Sequence, residues 1–144
     1  MNKIELVKFT KEDVEFVSQY FSDWFGNVSL DRITSVVEKW KDSLGFCILC
    51  DGEKVGIISL SEKQDKTLSF GVMIKEDYRG KGIAKQAFEL IRLMAAKAGY
   101  SMVVSSCAKA NESSRRLHEK IGFKLTAIET NSAGQEMCRW QMEI

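Results

Sequence analysis

The sequence predicts an α+β fold: one central mixed sheet of about six to seven strands, mostly antiparallel, with helices on both faces. Short stretches that alternate apolar and polar residues, or form brief apolar runs, are typical of strands, and longer stretches repeat apolar residues at helical spacing. One strand is followed by a glycine loop, a long helix and a further strand, and a right-handed crossover of this kind makes its two strands parallel. A length of 144 residues is usual for one domain.

The first half of the chain predicts one strand, two helices and a hairpin. A threonine followed three residues later by aspartate is a helix-start signal, and Asp-Gly between two apolar runs is a hairpin signal. In order, the predicted elements are a strand in KIELVKF, a helix from Thr10 to about Tyr20, a helix from near Leu30 to Lys41, and strands at about Phe46 to Cys50 and Lys54 to Leu60.

The second half predicts the parallel crossover and two closing strands. Gly99 and Gly122 each follow a helical pattern and mark its end. In order, the predicted elements are a strand at Leu68 to Ile74, the glycine loop, a helix from Ala84 to Ala98, a strand at Met102 to Cys107, a short helix in NESSRRLHEKIG, and strands near Phe123 to Glu129 and Glu136 to Glu143. Neither a linker nor a repeat interrupts these elements, so we predict a single domain over residues 1–144.

Composition and charge narrow the classes of function. Hydrophobic residues make up 44% of the chain, and 21 Lys and Arg against 20 Asp and Glu leave a formal net charge of +1. Such a balance does not predict a nucleic-acid partner. Apolar runs such as GFCILC are too short to cross a bilayer, and the N-terminus alternates apolar and charged residues. We therefore predict a cytoplasmic protein with no export signal and no membrane partner.

The four cysteines do not predict a metal or dithiol site. Cys47 and Cys50 form a C-x-x-C, but positions three apart on a strand point to opposite faces. Cys107 and Cys138 are isolated, and His118 is the only histidine, so zinc ligands are not supplied at the required spacing. We expect four buried free thiols that behave as small apolar side chains, and no bound metal.

The stretch DYRGKGIAKQAFEL, Asp77 to Leu90, carries the main functional signal. Its two glycines lie beside Arg79, Lys81 and Lys85, where a strand gives way to a helix. At such a helix start, unpaired N–H groups and the helix dipole favour an anion, and glycines let a phosphate approach the main chain. The P-loop motif is absent and Lys85 replaces the third glycine of a dinucleotide fingerprint. The stretch predicts another kind of phosphate or pyrophosphate site, with an ordinary turn carrying solvated lysines as the alternative.

Two motifs in this half of the chain resemble the GNAT N-acetyltransferase superfamily. YRGKGIA resembles the R-x-x-G-x-A acetyl-CoA loop of that family, and NESSRRLHEKIGF, Asn111 to Phe123, resembles its downstream N-x-x-[SA]-x-x-[LF]-[YH]-x-[KR]-x-G-F segment. The match covers roughly Leu68 to Leu125. The resemblance implies a single-domain GNAT-like fold whose two central parallel strands splay apart, with the pantetheine arm of acetyl-CoA in the gap and the pyrophosphate on the glycine loop.

The resemblance also implies which residues hold acetyl-CoA, which serves as co-substrate. Residues of the first parallel strand would line the pantetheine, and the glycine loop would hold the pyrophosphate. An asparagine that opens the second helix would reach the cofactor, although a helix N-cap is the alternative role. The implied cofactor-binding residues are Val72, Met73, Ile74, Arg79, Gly80, Lys81, Gly82, Ile83, Ala84, Lys85 and Asn111.

The implied reaction is direct attack of a primary amine on the thioester. A backbone N–H near Met73 or Ile74 would stabilise the developing oxyanion. His118 is the implied catalytic residue, because it stands where the family usually carries a tyrosine that protonates the leaving thiolate. Its helical spacing predicts that it points inward, and a core histidine bonded to a backbone carbonyl is the alternative.

No general base and no specific acceptor follow from the sequence. The positions at which the family often places a carboxylate correspond to Ser69 and Ser106, which are not bases. Three acidic residues are distant candidates for a base that acts through ordered water: Glu62, Glu76 and Asp77. The alternative for each of them is a solvated loop carboxylate. Four aromatic residues would wall an amine pocket or belong to the core: Tyr20, Phe21, Trp24 and Phe25.

Three functions remain open at this point. The first is an acetyl-CoA-dependent N-acetyltransferase acting on a small-molecule or peptide amine. The second is a non-catalytic acyl-CoA-binding module of the same fold, which the serines at positions 69 and 106 favour. The third, a basic-loop nucleic-acid binder, is disfavoured by the near-neutral charge. The sequence allows a homodimer but does not decide the oligomeric state.

Overall fold

The computed structural model describes residues 3–10, Asp13 and residues 44–144. The described strands are β1 (Ile4–Lys8), β2 (Leu44–Cys50), β3 (Glu53–Glu62), β4 (Thr67–Ile74), β5 (Met102–Ala108), β6 (Lys124–Thr130) and β7 (Glu136–Glu143), and the described helices are α1 (Ile83–Lys97) and α2 (Glu112–Ile121). The seven predicted strands and the last two predicted helices are confirmed to within two residues at each end. The two helices predicted between Thr10 and Lys41 lie outside the described residues, apart from Thr10 and Asp13.

The strands form a seven-stranded sheet in the order β1-β2-β3-β4-β5-β7-β6. Pairing is antiparallel between β1 and β2, β2 and β3, β5 and β7, and β6 and β7, and parallel between β4 and β5. The mixed, mostly antiparallel sheet and its parallel pair are therefore confirmed. The parallel register holds three residue pairs, from Thr67 opposite Met102 to Ser69 opposite Val104. Ser105 is thus the first residue of β5 beyond this pairing.

The chain forms two compact units. The first unit comprises residues 1–60 and 72–87, and the second comprises residues 61–71 and 88–144. Strand β4 and helix α1 each contribute residues to both units, because a unit boundary falls within each of them. The single N-acetyltransferase domain expected over residues 1–144 stays a prediction.

In the first unit, β3 supplies much of the buried surface. Val55, Ile57 and Ile58 are buried, because this strand has neighbours on both sides and its side chains are enclosed. Gly56 is buried among them, and a Cβ at this position would collide with the carbonyl oxygen of Met73 in β4. Glycine is therefore required here by the close approach of two backbones.

In the second unit, three phenylalanine rings form the centre of the core. Phe88 of α1 lies with its ring centroid 5.0 Å from that of Phe70 and 5.2 Å from that of Phe123. All three side chains are buried, and so are Ile91 one helical turn further along α1 and Trp140 of β7. The apolar stripe of α1 thus faces the core, as its helical spacing predicts.

The four cysteines are buried and free, as expected. Burial and the nearby Asp13 carboxylate raise the pKa of the Cys47 thiol to about 12, so that this thiol stays protonated and unreactive at neutral pH. Among the described residues, neither helix has the length and hydrophobicity that crossing a membrane requires.

Candidate active site

The glycine loop joins β4 to α1 within the first unit, and two hydrogen bonds hold its start. Arg79 Nε donates to the carbonyl oxygen of Ile74, the last residue of β4, over 3.0 Å. The hydroxyl of Tyr78, at the end of a 3₁₀ turn (Glu76–Tyr78), donates to the carboxylate of Glu53 in β3. This hydrogen bond raises the pKa of Tyr78 to about 12, so the phenol stays neutral. The entrance to the loop is therefore tied to β3 and to the end of β4.

Gly80 and Gly82 give the loop its backbone shape. Their φ angles are +76° and +77°, a region that residues with a side chain rarely adopt. Among the atoms of the described residues, a Cβ at Gly80 would meet none within 4 Å, and one at Gly82 would meet only Gln86 Nε2, at 4.0 Å. The protein thus leaves open space beside both glycines, where a ligand can approach the main chain.

The loop also carries backbone N–H donors at the start of α1. The first bond along the start of α1 runs from the Gln86 N–H to the carbonyl oxygen of Gly82 over 3.1 Å. Within the part of the chain that the structure describes, the N–H groups of Gly80 to Lys85 donate to no backbone carbonyl. Unpaired N–H groups and the positive end of the helix dipole are the elements that bind phosphate at helix N-termini. The loop therefore has the features of a phosphate- or pyrophosphate-binding site.

The three basic side chains of the loop differ in the contacts that they make. Lys81 Nζ lies 5.3 Å from the centroid of the Tyr78 ring, within the range of a cation–π contact. Arg79 donates one hydrogen bond to the Ile74 carbonyl oxygen. Its side chain therefore holds the start of the loop in place and also adds positive charge. Lys85, in the first turn of α1, is exposed. The ammonium groups of Lys81 and Lys85 thus add exposed positive charge beside the free N–H groups.

The predicted pantetheine-binding residues lie on the end of β4 that leads into the loop. Val72 and Met73 are half-buried and Ile74 is buried. All ten predicted cofactor residues from Val72 to Ile74 and from Arg79 to Lys85 therefore belong to the first unit. Asn111 and His118 belong to the second unit.

Asn111 caps α2. Its side-chain oxygen accepts the backbone N–H of Ser114 over 3.1 Å, and at the other end of the helix Gly122 adopts a φ of +111°. The predicted N-cap role is confirmed, as is the helix stop at Gly122. Contact of Asn111 with a cofactor stays a prediction.

His118 is buried, with 5% of its surface exposed, and both of its ring nitrogens are hydrogen-bonded. Nδ1 lies 2.7 Å from the carbonyl oxygen of Ser114, and Nε2 lies 2.8 Å from Oγ of Ser105 in β5. A carbonyl oxygen can only accept, so Nδ1 carries the proton of the neutral ring. Nε2 is then unprotonated and accepts the Ser105 hydroxyl. The inward orientation expected for His118 is thus confirmed.

Burial lowers the pKa of His118, although the hydrogen bond to the Ser114 carbonyl opposes this shift. The neutral ring is favoured because a charged imidazolium loses solvation in the core. The ring also stacks on Trp140, with a centroid distance of 5.1 Å and an interplanar angle of 15°. A direct role as proton donor to sulfur stays a proposal, and the single proton of the neutral ring points to Ser114.

Ser105 is the residue of this group that sequence reasoning missed. The strand MVVSSCA alternates, and Val103, Ser105 and Cys107 form its buried face. A serine between two apolar positions of a buried face needs a hydrogen-bond partner. Because the chain has a single histidine, the alternation of this strand could have predicted a hydrogen bond between Ser105 and His118.

The remaining predicted positions lie on the surface or outside the described residues. Glu62 ends β3, and Glu76 and Asp77 lie in the 3₁₀ turn; all three are exposed. Ser69 is half-buried and Ser106 is exposed. The four aromatic residues considered for an amine pocket, Tyr20, Phe21, Trp24 and Phe25, lie outside the described residues.

Comparison with known proteins identifies the family. The model of the acetyltransferase (GNAT) domain matches residues 3–124. The chain belongs to the GNAT acetyltransferase family. The glycine loop and the segment from Asn111 to Phe123 both lie within this match, so the resemblance read from these two motifs is confirmed.

Individual relatives of this GNAT chain cover part of its length. The uncharacterized N-acetyltransferase YokL, derived from prophage SPbeta of Bacillus subtilis, is 34% identical over 87 residues, which is 58% of this chain and 49% of that protein. Spermidine N(1)-acetyltransferase of Escherichia coli K12 is 30% identical over 87 residues, 56% of this chain and 45% of that protein. The chain spans about half the length of the curated relatives it matches.

A solved structure matches over nearly the whole chain. The acetyl transferase of Salmonella typhimurium that modifies the N-terminal serine of the 50S ribosomal subunit protein L7/L12 superposes with a TM-score of 0.84 at 18% identity. The superposition covers 98% of this chain and 95% of that one. At this identity the likeness supports the GNAT fold.

Proposed function

We propose that this GNAT-family chain is an acetyl-CoA-dependent N-acetyltransferase that moves an acetyl group to a primary amine by direct attack on the thioester. The observation that carries the proposal is the glycine loop at the start of α1. There, the N–H groups of Gly80 to Lys85 have no backbone acceptor among the described residues, and the same residues leave open space beside Gly80 and Gly82. Family membership over residues 3–124 supports the same activity.

Acetyl-CoA, when bound, supplies an activated acetyl group as a thioester. In the proposal, the N–H groups of the glycine loop bind the pyrophosphate, with Lys81 and Lys85 adding charge and Arg79 holding the loop in shape. Val72 to Ile74 line the pantetheine, and Asn111 contacts the cofactor in addition to capping α2. A main-chain N–H at Met73 or Ile74 stabilises negative charge on the carbonyl oxygen.

The proposed acceptor is a primary amine of a small molecule or of a peptide or protein. The relatives support this class, because one matched protein is named a spermidine acetyltransferase and another modifies the N-terminal serine of a ribosomal protein. A cytoplasmic location and a homodimer stay predictions.

A non-catalytic acyl-CoA-binding module is the second candidate. The observation that favours it is the absence of a carboxylate at positions 69 and 106, where the family often has its base. Serine hydroxyls at these positions do not deprotonate an ammonium group by themselves.

The test combines binding with turnover. Calorimetry measures acetyl-CoA affinity, and a thiol-release assay measures turnover across polyamines, amino acids and peptides with free N-termini. The enzyme proposal predicts binding and acceptor-dependent thiol release. Binding without release on any acceptor supports the module, and absence of binding contradicts both candidates.

A further inference from the structure

Glu53, the first residue of β3, places a carboxylate near the entrance of the glycine loop. Its side chain is exposed and accepts the hydroxyl of Tyr78, which stands two residues before Gly80. No lysine or arginine in the ranges that the structure describes forms an ion pair with it. A negative charge here opposes the binding of a nearby anion, because like charges repel. The carboxylate is therefore unexpected beside a phosphate site unless it contributes in another way.

The ring of Tyr78 carries two lysine ammonium groups. Lys81 Nζ lies 5.3 Å and Lys75 Nζ lies 5.7 Å from the ring centroid. Both distances are within the about 6 Å over which an aromatic ring attracts a cation. Lys81 stands between Gly80 and Gly82, so one of the two ammonium groups belongs to the loop itself. The ring thus gives a long, flexible side chain of the loop a neighbour to rest on.

Tyr78 is held at both ends. At the main chain, its N–H donates to the Lys75 carbonyl oxygen over 2.9 Å, and the Lys75 N–H donates to the carbonyl oxygen of Val55 in β3 over 2.8 Å. At the far end of the side chain, the hydroxyl donates to Glu53 of the same strand. This bond raises the pKa of Tyr78 to about 12, so the phenol keeps the proton that it donates. Strand β3 therefore fixes both the backbone and the ring of Tyr78.

A fixed ring matters because a lysine side chain is flexible. An exposed ammonium group on a chain of four carbons loses conformational freedom when it binds a phosphate, and this loss weakens binding. A contact that already holds the ammonium group reduces the loss. The ring provides such a contact when its own position is defined, and the hydroxyl bond to Glu53 defines it.

We propose that Tyr78 is a positioning residue of the phosphate-binding loop: with its hydroxyl anchored on Glu53, its ring holds the Lys81 ammonium group in place for the pyrophosphate of acetyl-CoA. The inference rests on the proposed function, which supplies the anion, and all three residues belong to the first unit. Tyr78 acts through Lys81 and touches no reacting atom. Glu53 then favours anion binding as a hydrogen-bond acceptor, although its charge opposes it.

Two simpler roles of the bond between Tyr78 and Glu53 predict different results. If the bond only braces the turn, its loss lowers the melting temperature and leaves acetyl-CoA affinity unchanged. If Glu53 acts only through its charge, any neutral residue at position 53 tightens binding. The positioning role separates the acceptor from the charge, because a neutral residue keeps the anchor if it still accepts the hydroxyl and loses the anchor if it does not.

Two variants of Glu53 make this separation. Glu53→Gln removes the charge and keeps an oxygen that accepts the hydroxyl, whereas Glu53→Ala removes both. In calorimetry, Glu53→Gln should bind acetyl-CoA at least as tightly as the wild-type protein does. Glu53→Ala should bind about twofold to fivefold more weakly than Glu53→Gln, which is the range of an exposed cation–π contact. Equal affinities of these two variants overturn the inference.

Variants of the tyrosine itself complete this test. Tyr78→Phe keeps the ring and removes the hydroxyl, so it should weaken acetyl-CoA binding by a similar factor. The matched control is Tyr100→Phe, which removes the hydroxyl of a half-buried tyrosine outside the loop and should leave the affinity unchanged. Wild-type affinity in a folded Tyr78→Phe protein contradicts the inference.

Double variants test whether Tyr78 acts through Lys81. In a Lys81→Met background, Tyr78→Phe should have no further effect on acetyl-CoA affinity, because residues that act through one contact are not additive. An effect of undiminished size contradicts this route. In the acetylation assay, Tyr78→Phe should raise the KM for acetyl-CoA by the same factor as the affinity change and lower kcat little, because the contact binds substrate and transition state alike.

An NMR measurement needs no ligand. The ring current of Tyr78 should move the ε-methylene proton signals of Lys81 upfield, and Lys81→Met identifies these signals by their loss. Glu53→Gln should keep the shift and Glu53→Ala should reduce it. The signals of Lys85, for which the described residues show no ring contact, should stay unchanged. Lys81 signals at the same position in both Glu53 variants overturn the anchoring.

These results separate the inference from the proposed function. Wild-type protein that binds no acetyl-CoA overturns both. Wild-type protein that binds acetyl-CoA, while Glu53→Gln and Glu53→Ala bind it alike, leaves the proposed function standing and overturns the positioning role alone. Weaker binding by Glu53→Ala than by Glu53→Gln, together with a reduced Lys81 shift, supports the positioning role.

Discussion

Arg79 Nε donates a 3.0 Å hydrogen bond to the carbonyl oxygen of Ile74, so the first residue of the glycine loop is fixed to the last residue of β4. The same arginine is the first letter of the R-x-x-G-x-A pattern. Its side chain therefore holds the loop in place, in addition to any attraction between its positive charge and a phosphate. Loss of this bond should let the following glycines leave the conformation that exposes their N–H groups.

Arg79→Ala should weaken acetyl-CoA binding by about threefold to tenfold. One net hydrogen bond is worth about 0.5–1.5 kcal/mol, and 1.4 kcal/mol is a factor of ten in affinity. The control is Arg92→Ala, which removes an arginine of α1 that pairs with Glu89 at 2.8 Å. Calorimetry on both proteins checks this, and equal affinities would show that the tie to Ile74 has no part in binding.

Gly82→Ala should reduce acetyl-CoA affinity at least about tenfold. A Cβ here would enter the open space beside the free N–H groups, and losing one charge-assisted hydrogen bond costs about 1.5–3 kcal/mol. Gly134→Ala is the matched control, because Gly134 has a φ of +80° and equally open surroundings in the turn between β6 and β7. Both alanines carry a backbone strain of about 1–2 kcal/mol, so their melting temperatures should fall alike. A folded Gly82→Ala protein that binds as tightly as Gly134→Ala would place the pyrophosphate elsewhere.

The stability of the protein should fall as the pH drops below about 6.5, the ordinary pKa of histidine. The folded state lowers the pKa of His118, so between that lower value and 6.5 the unfolded state binds more protons. The free energy of unfolding therefore rises with pH across this window. The stabilising contribution of the neutral His118 ring is lost when the pH falls through the window. Urea titrations at several pH values measure it. The difference in stability between the wild-type protein and His118→Phe should change with pH in this window, and a constant difference would contradict the buried neutral ring.

His118→Phe should lower kcat by about tenfold to a thousandfold, with little change in acetyl-CoA affinity. The resemblance predicts that His118→Tyr keeps much of the activity, since tyrosine is the usual donor to the thiolate. The bonds from His118 to Ser105 and to the Ser114 carbonyl also fit the alternative of a core histidine, for which neither variant lowers kcat in a folded protein. Steady-state kinetics of both variants decide between the two roles, and wild-type rates in a folded His118→Phe protein would make the histidine structural.

The glycine loop shows how far the sequence could predict the site. Periodicity predicted the strand before it and the helix after it, and both are confirmed. The positive φ angles of Gly80 and Gly82 are known only from the structure. The bond from Tyr78 to Glu53 was not predictable. It joins residues 25 positions apart and depends on how β3 lies beside the loop, which no local pattern reports.

His118 illustrates the same limit in the second unit. Helical spacing predicted that its ring points inward, and the structure confirms this. Its partner depends on the relative placement of α2 and β5, and two neighbouring serines made the choice ambiguous. Alternation selects Ser105 over Ser106 only once the buried face of β5 is known.

The proposed function is tested most directly by thiol release from acetyl-CoA, measured with the wild-type protein and Gly82→Ala across polyamines, amino acids and peptides. We predict acceptor-dependent release by the wild-type protein, a mass increase of one acetyl group on the amine, and a marked loss of activity in Gly82→Ala at subsaturating acetyl-CoA. Wild-type protein that binds acetyl-CoA yet acetylates none of these amines would contradict the enzyme assignment.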